Sequence, residues 1–133
     1  MSSDSGQGST TVVREHLTSE LTHSVSNGEL SFISGQLPID PATGEVIAGD
    51  IDKQMRRVLQ NVQAILESQG LSMADIVKVT VFLTQIDDYG TVNGVYADVF
   101  GEWHPARSVV QVAGLPKGAP IEIEAIATLR RTE

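Results

Sequence analysis

Cysteine is absent from the 133-residue chain, which excludes disulfide staples, thiolate metal sites and a thiol nucleophile. Basic residues are scarce: nine Lys and Arg stand against 17 Asp and Glu, a formal net charge of −8. A surface of that sign repels phosphate backbones and anionic membranes at long range, so neither nucleic acid nor a membrane is expected as a partner. No apolar run approaches the ~20 residues that a membrane span requires. The opening MSSDSGQGST has neither the basic nor the apolar region of a secretory signal, and a cytoplasmic location is the expectation. Those ten residues hold four Ser, two Gly and nothing apolar after the initiator Met. Such a segment cannot offset the entropy of being ordered, so residues 1–11 read as a disordered tail and 12–133 as one domain. With 41% apolar residues, a chain of this length buries roughly two-thirds of the surface its unfolded form exposes, enough for a single core.

The segment VVREHLTSEL, residues 12–21, is a weak strand candidate. Asn27-Gly28 lies between two runs of alternating apolar residues, and both tolerate the positive φ of a tight turn, so strands near 22–26 and 29–34 are predicted to pair. Pro38, Pro41, Gly44 and Gly49 interrupt residues 36–49 too often for regular structure, and the stretch reads as a loop. Apolar residues at Ile51, Met55, Val58, Leu59, Val62, Ile65 and Leu66 then mark one face of a helix of ~18 residues. Asp50 is its expected N-cap and Gly70 its left-handed C-terminal residue. Ser72 with Asp75 predicts a capped turn. The following IVKVTVFLT is a strand with Val77, Val79, Val81 and Leu83 on one face and Ile76 and Phe82 on the other, expected to be buried on both sides. Asp87 or Asp88 opens a second helix whose apolar face carries Tyr89, Val92, Tyr96, Val99 and Phe100, with Gly101 at its end. Two strands follow Pro105, separated by the turn at 115–118.

The order β-β-β-α-β-α-β-β describes an α+β domain in which two helices cover one face of a mixed sheet of about six strands. The other face would show water more Val and Ile than a soluble monomer usually exposes. With one chain type, a closed homo-oligomer is the expected remedy.

The last strand places Glu122, Glu124 and Ile126 on one face and Ile121, Ile123, Ala125, Ala127 and Leu129 on the other. Carboxylates on a strand that otherwise reads as core are costly without a donor or water. Either they sit solvated or paired at a sheet edge or subunit seam, or they serve chemistry. Arg107, at the start of the preceding strand, is likewise either a surface or structural cation or a ligand grip. A guanidinium is a fork that holds a carboxylate through two parallel hydrogen bonds, and a nearby glutamate can orient or deprotonate a water. Together these are the parts needed to hydrolyse a small carboxylated electrophile. His16, His23 and His104 are widely spaced with no i, i+4 pair, so no metal site is expected.

The run Ser34-Gly35-Gln36-Leu37-Pro38, with Thr43-Gly44-Glu45-Val46, Asn61-Val62, Val79-Thr80-Val81-Phe82-Leu83, Thr91-Val92-Asn93, Pro105-Ala106-Arg107-Ser108 and Ile121-Glu122-Ile123-Glu124-Ala125-Ile126-Ala127, resembles the RidA family of enamine/imine deaminases across about residues 23–129. The resemblance implies a chorismate-mutase-like α+β fold assembled as a homotrimer, with its sheets forming a barrel and its sites in clefts between subunits. It implies hydrolysis of reactive 2-iminoacids and their enamine tautomers, such as 2-aminoacrylate, to 2-oxoacids and ammonia, with no cofactor or metal. Arg107 matches the family arginine that holds the substrate carboxylate, and Glu122 the glutamate that positions the attacking water. Ser34 and Gly35 match the pocket-lining segment, Ser108 follows the arginine with a backbone N–H to offer, and Asn93 matches an asparagine on the second helix.

The chain also departs from the family pattern. Leu21 stands where many members have a pocket tyrosine, and Val109 where a cysteine often follows the arginine. The segment between Phe100 and Pro105 is short and carries Trp103, read either as lining the cleft mouth or as packing. Three activities fit: a deaminase of small 2-iminoacids, a non-catalytic small-carboxylate-binding or regulatory protein, and a deaminase of a larger enamine such as 2-aminomuconate.

Overall fold

The computed structural model describes residues 12–16 and 22–129; the tail expected at 1–11, and Leu21, lie outside the described residues. Strands β1 (Val13–His16), β2 (Thr22–Ser26) and β3 (Leu30–Gln36) lead into a two-residue pair, β4 (Ile39–Asp40) and β5 (Glu45–Val46). Helix α1 (Ile51–Ser68), β6 (Ile76–Leu83), α2 (Tyr89–Phe100), β7 (Ala106–Gln111) and β8 (Ile121–Thr128) complete the order. Six strands form one mixed sheet, β1-β2-β3-β8-β6-β7, in which only β6 and β7 run parallel, joined by a crossover through α2.

Local chemistry sets the joints. Asn27 Oδ1 accepts from the N–H groups of Glu29 and Leu30 at 3.0 and 2.9 Å, and Gly28 takes a φ of +91°, so the β2–β3 turn forms where the Asn-Gly pair predicts it. Asp50 caps α1 by accepting from Lys53 N–H at 3.0 Å, and Gly70 leaves the helix at φ +76°. The Ser72–Asp75 capping box is also present. The stretch read as a featureless loop instead closes on itself as the β4–β5 pair. Asp40 accepts there from Ala42 N–H through its side chain and from Gly44 N–H through its carbonyl, so an Asx turn and a backbone turn that span Pro41 order the segment despite its prolines.

Alternation along the strands sends one set of side chains toward the helices. Ile33, Val79, Val81, Leu83, Ile121, Ile123, Ala125 and Ala127 pack there with Met55, Val58, Val62 and Leu66 of α1 and Val92 and Val95 of α2. Two buried serines share that face: Ser31 donates to Gln69 Oε1 at 2.6 Å, and Gln69 Nε2 donates to Ser24 Oγ at 3.0 Å. Strand β6 is not buried on both faces within one chain. Its register shifts between Ile76 and Lys78, which turns Ile76 to the core side and leaves Val77 44% exposed, because the extra residue of a bulge resets the alternation. On α2, likewise, the core face is Val92, Val95 and Tyr96, while Tyr89 and Val99 stand exposed. Tyr89 instead turns toward β7, where Arg107 meets it.

Among the described residues no layer covers the opposite face of the sheet. Phe32 and Val110, each 41% exposed, lie on it with the partly buried Val25, Phe82 and Ile126. Lys78, Thr80, Glu122, Glu124 and Ser108 share this face by register.

Candidate functional site

Arg107 is the second residue of β7, an edge strand, and pairs with Val79 of β6. Val79 also opposes Ala125, so the Arg107 side chain leaves the sheet on the helix side, where α2 meets it. Tyr96, buried on α2, lies under the guanidinium with 4.7 Å between Arg107 Cζ and the ring centroid. Tyr89, two helical turns earlier, accepts a hydrogen bond from Arg107 Nη2 at 3.3 Å. Among the described residues Arg107 makes no salt bridge. Burial pushes the Tyr96 phenol above its ordinary pKa, and the charge of Arg107 partly opposes that rise. Beside the guanidinium a cavity of about 580 Å³ is lined by Asn93, Tyr96, His104, Ala106 and Arg107 among others. None of its lining residues is a carboxylate, which leaves a cationic recess in an acidic protein.

Glu122 belongs to a second constellation. It opposes Phe82, which in turn opposes Val110, three residues along β7 from Arg107 and therefore on the uncovered face. Strand β3 bulges beside it: Ile33 pairs with Ala125 and Gln36 with Ile123, so Ser34 and Gly35 together face the single residue Glu124. This bulge lets the Glu122 side chain lie against bare backbone. A Cβ built on Gly35 would stand 2.7 Å from Glu122 Cδ and 3.0 Å from its Cγ. The Ser34 hydroxyl is engaged with the Thr22 carbonyl at 2.6 Å. Half-burial first, and the neighbouring Glu124 second, hold the Glu122 carboxyl above the usual carboxylate range.

Within one chain the expected site residues therefore form two groups. Arg107 and Asn93 share the helix-side cavity, while Ser34, Gly35 and Glu122 gather on the uncovered face, where Ser108 also points by register. Val109 follows Arg107 on the helix side and packs against the core. Trp103 is 87% exposed. Tyr89, Tyr96 and His104 were not among the expected site residues. Tyr89 and Tyr96 fit the apolar period of α2, and that assignment hid their contact with the guanidinium.

The family model described as Endoribonuclease L-PSP matches residues 14–129. The chain belongs to the RidA/YjgF family. Among relatives in that family, a RutC family protein of Pyrococcus horikoshii is 52% identical over 106 residues, 80% of this chain and 84% of that protein. A 2-iminobutanoate/2-iminopropanoate deaminase of Salmonella typhimurium is 50% identical over 109 residues, 80% of this chain and 84% of its own length. The crystal structure of Escherichia coli TdcF with bound serine superposes with a TM-score of 0.81 at 43% identity, covering 89% of this chain and 98% of that one. The TdcF structure matches this chain's architecture of two helices and a mixed sheet, and the name of the Salmonella protein is that of an imine deaminase.

Proposed function

We propose that this protein hydrolyses small 2-iminoacids, and their enamine tautomers, to 2-oxoacids and ammonium in a cleft shared between copies of the chain. The observation that carries the reading is the Arg107 guanidinium: held by two tyrosines, paired with no carboxylate among the described residues, and facing a cavity without acidic lining. A fork so placed takes the carboxylate of a ligand through two parallel hydrogen bonds. Glu122, with its raised pKa, accepts a proton from a water aimed at the imine carbon. The water oxygen bonds to the carbon of the protonated imine as the C=N electron pair moves to nitrogen, giving a neutral carbinolamine. Glu122 then returns its proton to that nitrogen, the C–N bond breaks as the hydroxyl oxygen gives up its own proton and forms C=O, and the departing ammonia takes that proton away as ammonium, leaving the 2-oxoacid.

One chain holds Arg107 and Glu122 on opposite faces of its sheet, and the apolar uncovered face is suited to a second copy. Association through that face supplies the two half-sites from different protomers, and the closed homotrimer implied by the family resemblance is the proposed assembly. The 580 Å³ cavity beside Arg107 falls in the range that holds drug-sized ligands. That size favours, as a second reading, a larger carboxylated enamine of the 2-aminomuconate kind.

The test is keto-acid formation from iminoacids generated in place by an amino-acid oxidase, compared for wild type and Arg107→Ala. A lost Arg–carboxylate contact, worth about 1.5–3 kcal/mol, lowers kcat/KM by roughly ten- to a hundredfold. Unchanged acceleration by the variant refutes the reading, and faster turnover of large than of small enamines selects the second.

A further inference from the structure

The arginine at the centre of the site does not stand alone, and the residues that hold it are ones that the resemblance to the family does not name. Tyr96 is buried on α2, and its hydroxyl donates to the carbonyl of Pro105 at 2.7 Å. Pro105 lies two residues before Arg107, so this bond ties the middle of α2 to the root of β7. The Tyr96 ring also packs against Phe100, with centroids 4.8 Å apart and planes inclined at 49°. It is thus a fixed platform, and the guanidinium lies over it with Cζ 4.7 Å from the centroid. Tyr89 closes a second side: its ring centroid is 5.6 Å from Cζ, and its hydroxyl accepts from Nη2 at 3.3 Å.

We propose that Tyr96 and Tyr89 are positioning residues that set the plane and the rotation of the Arg107 guanidinium before any carboxylate arrives. The inference rests on the reading of Arg107 as the carboxylate grip. An arginine side chain has many rotamers, and a free one loses that freedom when it binds, at the expense of affinity. Stacking on a locked aromatic face selects the rotamers in which the guanidinium lies flat on the ring. The bond to the Tyr89 hydroxyl then fixes rotation within that plane. It occupies one of the five guanidinium N–H donors and leaves four, enough for a bidentate grip. Tyr89 is 43% exposed, so it is placed at the site without serving as part of the core.

The experiment measures 2-oxobutyrate binding by calorimetry, and kcat and KM for the matching iminoacid, in wild type, Tyr89→Phe, Tyr96→Leu, Arg107→Ala and the Tyr89→Phe/Arg107→Ala double variant. Tyr89→Phe keeps the ring and removes only the hydroxyl. It is expected to weaken 2-oxobutyrate binding and raise KM roughly three- to tenfold with kcat retained, because the grip on the carboxylate is the same in ground and transition states. In the Arg107→Ala background the same change is expected to have no effect, the coupling expected of a residue that acts through the guanidinium. Tyr96→Leu is expected to raise KM at least as far; if that variant fails to fold, the exposed Tyr89 series decides alone. Equal affinity in Tyr89→Phe and wild type overturns the proposal, as does an equal loss with and without Arg107. If the wild type binds no 2-oxobutyrate, the carboxylate-grip reading itself falls and takes this one with it. Wild-type binding with a silent Tyr89→Phe removes only the positioning role.

Discussion

Gly35→Ala separates catalysis from stability at a single methyl group. The added Cβ would stand 2.7 Å from Glu122 Cδ, whereas carbon atoms rest about 3.5–4.0 Å apart. The carboxylate must therefore retreat by about 1 Å. It is the free end of a flexible side chain on the uncovered face, so it can do so without moving β3 or β8. The backbone at Gly35 does not take positive φ, and alanine there removes conformational freedom from the unfolded chain, which by itself stabilises by about 0.4–1 kcal/mol. The thermal midpoint is therefore expected to hold or rise slightly. Activity is not expected to survive so well, since a misplacement of about 1 Å in a positioned group costs on the order of a hundredfold. Kinetics on oxidase-generated 2-iminobutyrate together with a thermal melt give both quantities. A Gly35→Ala variant that melts like wild type and retains full kcat/KM would refute the assignment of Glu122 as the group that aligns water.

The raised pKa of Glu122 has a signature of its own. The native state binds this proton more tightly than the unfolded chain, so its contribution favours folding at acid pH and is lost as the pH rises through the native value. Glu122→Gln is thus expected to raise the thermal midpoint at pH 7 by no more than about 2 °C, an advantage that vanishes below the ordinary carboxylate range; scanning calorimetry across pH checks it. Gln69→Leu strands the buried hydroxyls of Ser24 and Ser31, and urea denaturation should show a loss of about 2–4 kcal/mol. Phe32→Glu combined with Val110→Glu puts charge on the uncovered sheet face; sedimentation is expected to show assembled wild type and a dissociated double variant, and a wild type that sediments as a single chain would contradict the shared cleft.

Much of the architecture was legible because the punctuating residues act locally. Asn27-Gly28, Asp50, Gly70 and the Ser72–Asp75 box each satisfy or release backbone groups within a few residues, and each sits at the joint it predicts. What escaped depended on partners far away in sequence. The shift between Ile76 and Lys78 is a property of pairing with β8, and no pattern within IVKVTVFLT announces it. The face of the sheet on which Glu122 lies follows from alternation, but that this is the face opposite Arg107 requires the β7–β6–β8 register. Tyr89 and Tyr96 have the spacing of core residues, and only the placement of β7 against α2 makes them neighbours of a cation.

The separation of Arg107 from Glu122 by the thickness of a sheet has a genetic consequence. No flexing of one chain can unite them without breaking the ladder between them, so on the reading proposed above every working cleft borrows from two gene products. Two alleles, one damaged at Arg107 and one at Glu122, are each inactive alone, yet when co-expressed they assemble some clefts in which both borrowed parts are intact. Lesions within the same half-site have no such remedy, and the pattern of which allele pairs rescue one another would map the seam without a structure of the complex.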